Sequence, residues 1–147
     1  MNFWKRIAAA FFAICITLPF TACSGDTSWV YDYEDIQITS GMYIAFTMNA
    51  YSQVSEQDDY DSTKDILDQT IEDKSATDWI RERASEMANE YVATLRKFEE
   101  LGLTLDESDE QDIDNTVESY WESYGDIYES NGVGEASYRK LIEAQIK

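Results

Sequence analysis

The sequence predicts a mainly α fold, a short N-terminal β-hairpin or extended arm followed by about four helices, and three observations carry that expectation. Apolar residues recur at spacings of three and four through long stretches after Ser40, as they do when a helix buries one side. Gly102 and the run Asn131-Gly132-Val133-Gly134 interrupt those stretches at places where helices end. β-favouring residues gather in two short runs ahead of the first stretch, Trp29-Val30-Tyr31-Asp32-Tyr33 and Ile36-Gln37-Ile38-Thr39.

Residues 1–22 differ in kind from the rest. Lys5 and Arg6 precede the apolar run IAAAFFAICITLPF, and small residues follow at Ala22 and Ser24. A bilayer span needs about 20 apolar residues, so this shorter run fits the central region of a secretory signal. Phe20-Thr21-Ala22-Cys23 resembles the bacterial lipobox, with Phe20 where Leu is usual. Cleavage before Cys23 would discard Cys15 with the signal and leave Cys23 as the sole thiol, an odd arrangement in a secreted chain unless that thiol is modified. Cys23 is therefore the expected lipid-attachment residue. Two acyl chains on it would suffice for stable membrane anchoring, each buried methylene contributing about 0.8 kcal/mol. Residues 23–28 read as a polar tether and 29–147 as one domain, held at the extracytoplasmic face of a bacterial cell membrane.

Within the domain, the two β-favouring runs flank Glu34-Asp35, which lacks the Asn-Gly or Asp-Gly of a strong hairpin turn. Ser40 is a plausible N-cap for a helix from Gly41 to about Gln57, striped by Met42, Tyr43, Phe46, Thr47, Ala50, Tyr51 and Val54. Residues 55–76 are polar, with Ile66, Leu67 and Ile71 as aliphatic anchors, and read as a solvated connection with one weak helical turn or short strand. The longest helix follows, capped by Ser75 or Thr77, with an apolar face at Trp79, Ile80, Ala84, Met87, Ala88, Tyr91, Val92, Leu95, Phe98 and Leu101. Asp106 with Asp109 resembles a capping box for the next helix, whose buried side is expected at Ile113, Val117, Tyr120, Trp121, Tyr124 and Tyr128. A last helix begins at Glu135, striped by Tyr138, Leu141, Ile142 and Ile146, and stops at Lys147 without a cap, so a C-terminally truncated domain is expected.

The composition excludes several chemistries. With 30 acidic against 11 basic residues and a formal charge of −19, nucleic acid is not an expected partner, because a phosphate backbone is held by clustered cations. No histidine is present, so imidazole acid–base catalysis, a Ser-His-Asp relay and an HExxH zinc site are impossible within these residues. Asp58-Asp59-Tyr60-Asp61 and Asp112-Ile113-Asp114 lack the ligand alternation, central Gly and closing Glu of a calcium loop. No metal, cofactor or catalytic residue is assigned.

The order of ITSGMYIAF, the Trp-led helix DWIRERASEMANEYVATLRKFEELGL, the break TLDESDEQDI and YGDIYESNGVGEASYRKLI resembles the N-terminal chaperone domain of SurA-like and PrsA-like foldases. The likeness spans Trp29 to Lys147; no single motif in it is diagnostic, and its specificity lies in the ordered series behind a lipobox. The resemblance implies an extracytoplasmic module that binds unfolded or partly folded secreted polypeptides. In that family a parvulin-type peptidyl-prolyl isomerase domain usually follows, and none of it precedes Lys147. A returning C-terminal helix often completes the chaperone domain there, and without it apolar helix surface should stay uncovered. Tyr43, Met48, Tyr51, Trp121, Tyr124 and Tyr128 are the candidate client-binding residues, with core packing as the plain alternative for each. Two other functional classes stay open: a lipoprotein that binds a structural partner, and the N-terminal part of a complete isomerase.

The lipobox assignment is tested by Cys23→Ser, which should move the protein from the membrane fraction to the soluble fraction. Intact mass should show diacylglycerol on Cys23 of the wild type. Unmodified Cys23 in the membrane fraction, or retention of residues 1–22, would refute it.

Overall fold

A computed structural model describes residues 28–33 and 35–147 of the chain. The expected signal segment, Cys23 and most of the tether lie outside the described residues. The observed fold is mainly α, as expected: four helices preceded by a short β-hairpin.

Strands β1 (Trp29–Tyr33) and β2 (Ile36–Thr39) pair antiparallel, with a bulge between Trp29 and Tyr31. The chain passes from β2 straight into α1 (Ser40–Gln53), and the cap is Thr39, one residue earlier than expected. Thr39 has the extended backbone an N-cap needs, and its hydroxyl accepts from the Met42 amide at 3.2 Å. Ser40 is already helical; its amide donates to the Ser28 carbonyl at 2.6 Å, closing the base of the hairpin. Helix α1 ends at Gln53 and tightens into a 3-10 turn, Val54–Glu56, four residues short of a helix running to Gln57.

The segment 55–76 is more ordered than its polarity suggests. A second 3-10 turn (Ile66–Asp68) leads into a hairpin of two-residue strands, β3 (Thr70–Ile71) and β4 (Lys74–Ser75), more than the one weak helical turn or short strand expected. Its turn residues Glu72 and Asp73 both have positive φ, 50° and 62°, normally the province of Gly or Asn. Two contacts hold Glu72 there. The Glu72 amide donates to Asp59 at 2.7 Å, and the Trp79 indole N–H donates to the Glu72 carboxylate at 2.9 Å. The reward is Ile71, fully buried between the two long helices of this half.

Helix α2 (Ala76–Glu100) starts on the Ser75 cap and stops at Gly102, whose φ of 64° suits a residue without Cβ. Helix α3 (Glu107–Ser130) starts on the capping box of Asp106 and Asp109, both halves of which form. Helix α4 (Glu135–Ile146) follows a tight break at Gly132. Helix α1 packs along α2, α3 packs along α4, and α4 also touches α1 and α2. The core accordingly falls into three clusters: Ala50, Val54, Ile71 and Ile80 at the α1–α2 base, Ile38, Met42, Ala88 and Val92 further along, and Ile113, Val117, Tyr138 and Ile142 between α3 and α4.

Two expected core positions on α3 are corrected by this packing. Tyr120 and Tyr124 are 41% and 45% exposed, because α3 has α4 alone as a substantial neighbour and so buries a narrower stripe. Leu101, the last residue of the apolar face of α2, is 58% exposed for the same reason: the helix outruns its partner. Among the described residues, no helix is long and apolar enough to cross a membrane.

Ile80→Ala should lower stability by about 2–5 kcal/mol, the range for emptying a buried aliphatic site, whereas Leu101→Ala should change it by no more than about 0.5 kcal/mol. Urea midpoints at constant slope measure both; equal shifts would contradict the packing described.

Candidate functional site

Helices α2 and α3 are consecutive in sequence yet scarcely touch, because α4 lies between them. The separation leaves a groove of about 710 Å³ lined by all four helices. Phe46 of α1 with Leu141 and Ile142 of α4 supply its apolar floor. Met87 and Tyr91 line the α2 side, Tyr120 and Tyr128 the α3 side, and Tyr138 reaches in from α4. Asn49, Thr94, Thr116 and Gln145 provide scattered polar groups. The size lies within the range of roughly 300–1,000 Å³ typical of ligand sites.

The α3 side is a mutually supporting set of rings. Tyr120 stacks on Tyr138 at 5.2 Å and tilts against Tyr124 at 4.8 Å, while Tyr128 meets Tyr138 at 5.2 Å. Trp121 backs them, 5.9 Å from Tyr138 and 6.2 Å from Tyr128. A Cβ on Gly125 would stand 3.0 Å from the Trp121 indole nitrogen, so the indole lies flat along the helix only because that position is Gly. Across the groove Phe46 and Tyr91 pair at 6.3 Å.

Burial raises the pKa of three of the phenols. Tyr91 is pushed up to about 12, with the Glu143 carboxylate adding to burial. Tyr128 is also pushed up to about 12, by burial and then by Tyr120, and Tyr138 is raised by burial and its Tyr neighbours. The rings stay neutral at any physiological pH. The cations at the groove are engaged: Arg83 reaches Glu86 at 3.0 Å, Glu90 at 3.2 Å and Gln53 at 3.1 Å, and Lys147 lies 2.6 Å from Glu143 and 5.3 Å from the Phe98 ring centre. Chemically, the groove offers aromatic faces, a thioether and hydroxyls.

Of the six residues singled out from sequence, Tyr128 alone lines this groove. Tyr51 is 8% exposed and belongs to the α1–α2 core. Tyr43 and Met48 are half-buried on α1 outside the groove, Tyr43 with its hydroxyl 3.5 Å from that of Ser85. Trp121 opens on the opposite side into a shallower hollow of about 440 Å³ with Asp114, Glu118, Glu122, Glu135 and Arg139, and Tyr124 stands exposed beside Tyr120. Phe46, Met87, Tyr91, Tyr120 and Tyr138 were missed as site residues, since each sits in a helical stripe that reads as core. Among the described residues no group of three His, Cys, Asp or Glu could hold a metal ion. In comparisons with known proteins, the chain matches no family model, no curated protein and no solved structure.

The raised phenols set a pH dependence. Above pH 10 the unfolded chain releases Tyr protons that the folded one keeps, so the contribution of Tyr91 and Tyr128 to stability, constant below pH 10, is lost as pH rises from 10 towards about 12. Tyrosinate absorbance of the folded protein should lag that of the urea-unfolded chain across this window; superimposable titrations would contradict the burial described.

Proposed function

We propose that this protein is a lipid-anchored extracytoplasmic chaperone module that holds unfolded secreted polypeptides in the groove between α2 and α3. One observation carries the reading: a wide groove of neutral aromatic and aliphatic side chains that no other part of the described chain covers. Unfolded chains expose apolar side chains of varied shape, and Tyr rings with a Met thioether accept them without demanding one sequence. Tyr120 is already partly exposed, so it meets a client without rearrangement of the core. Anchoring through Cys23 would keep the groove near the site where secreted chains emerge, and the strong negative charge would keep client complexes soluble. Shallow contacts of this kind yield weak, exchangeable binding, because ordering a flexible client offsets much of the contact energy.

The purified protein at stoichiometric amounts should suppress light scattering when a denatured model protein is diluted from urea. Tyr120→Ala should weaken that effect by about 1 kcal/mol, near fivefold in affinity, while Tyr31→Ala on the β-hairpin should leave it unchanged. Absence of suppression by the wild type would remove the chaperone reading and favour a lipoprotein with one dedicated partner.

A further inference from the structure

Among the described residues the groove is lined by helices alone, and that restricts the conformation of what it can bury. The β1–β2 and β3–β4 hairpins contribute nothing to its lining, so there is no sheet edge for an extended chain to join. Helical walls have their backbone groups paired internally, and the side-chain donors and acceptors present, Asn49, Thr94, Thr116, Gln145 and the hydroxyls of Tyr91, Tyr120, Tyr128 and Tyr138 apart from the engaged charges, follow no strand repeat. An extended segment buried here would leave most of its own N–H and C=O groups unpaired, whereas a helix carries its partners within itself. The lining runs from Arg83 to Thr94 on α2 and from Thr116 to Tyr128 on α3, each about 17 Å at 1.5 Å per residue, or roughly three helical turns.

Charge selects further. Helix α3 carries no basic residue along its 24 positions, and Arg83 and Lys147, the cations on the groove, are already matched by Glu86, Glu90 and Glu143. With the carboxylates that pair with them counted, three acids stand against two cations at the groove, and the chain as a whole is strongly acidic, so a segment entering it meets a negative surround.

From these observations we infer that the groove takes a cationic amphipathic α-helical segment of about three turns, apolar side down and basic side outward. The inference rests on the groove being the client site and specifies the class of client held there. Binding is helix-in-groove, its apolar stripe against Phe46, Tyr91 and Tyr120, with Lys and Arg on the outer face meeting Glu86 and Glu90 on the rim of α2.

Three labelled peptides of about four helical turns, titrated against the full-length protein by fluorescence anisotropy, test it. The first has Leu and Lys in helical period, the second Leu and Glu in the same pattern, and the third the first peptide's composition in strict alternation, which favours strand. The helical Leu/Lys peptide should bind at least about tenfold more tightly than either other, gain helicity by circular dichroism on binding, and weaken with salt. Thr116→Lys, an exposed site on the α3 wall, should weaken it by about three- to fivefold through charge, and Tyr120→Ala by a similar factor through lost contact. Equal binding of the alternating peptide would overturn the helical mode, and equal binding of the Leu/Glu peptide would overturn the charge preference. Salt-sensitive binding indifferent to Tyr120→Ala would be adsorption to an acidic surface and would overturn the site. If the helix preference fails while aggregation suppression persists and responds to Tyr120→Ala, the inference falls and the chaperone reading stands; if suppression fails as well, both fall.

Discussion

The buried contact between Thr39 and Ser137 is the joint on which the architecture depends. Their hydroxyls lie 2.8 Å apart although the residues are separated by 98 positions, and the Thr39 oxygen also caps α1. One small polar pair thus ties the start of the first helix to the start of the last. It fixes α4 against α1, and α4 is what keeps α2 and α3 apart. A larger side chain at either position would push α4 outward, and an apolar one at Ser137 would leave the Thr39 hydroxyl to its cap alone. The groove follows from this placement: a short helix between two long ones fills the base of the space they enclose and leaves the rest open.

Much of this was legible in the sequence, and the legible part shares a cause. Caps and periodicities are local, so Ser75, Gly102 and the Asp106–Asp109 box act through neighbours three or four residues away and appear in a linear reading. The small β3–β4 hairpin was not legible, because its turn is stabilised from a distance. Glu72 and Asp73 adopt a conformation their own side chains do not favour, and Asp59 and Trp79 hold Glu72 there. Polar composition around Ile71 concealed that a single apolar residue, placed by that turn, closes the α1–α2 core.

The site was less legible than the fold. Periodicity marks which side of a helix is apolar, and says nothing of whether a neighbour covers that side. Tyr91 and Tyr120 carry the same signature as Val92 and Val117, yet the Val residues are buried and the Tyr residues face the groove. A count of apolar stripe against available partners gives a partial clue. Helix α2 presents a stripe through Leu101, and α1, about half as long, cannot cover it. Which residues stay uncovered depends on where α4 docks.

Hydrophobic grooves tend to close on themselves, and here the charge distribution opposes closure. Glu86 and Glu90 stand exposed on the α2 rim, and α3 carries no basic residue, its Asp114, Glu118 and Glu122 lining the hollow on the side away from the groove. Bringing α3 against α2 would move a helix without a cation of its own towards Glu86 and Glu90, a repulsion screened over about 8 Å at physiological ionic strength. The cation that engages α3 belongs to α4: Arg139 pairs with Asp114 and Glu110, drawing α3 towards α4 and away from α2. Each such surface pair is worth at most about 1 kcal/mol, but they act in one direction. Collapse would bury the Tyr120 and Tyr91 faces at the expense of that repulsion, whereas a basic occupant buries the same faces and relieves it. The acidity that counts against nucleic acid as a partner would thus also favour a basic occupant of the groove.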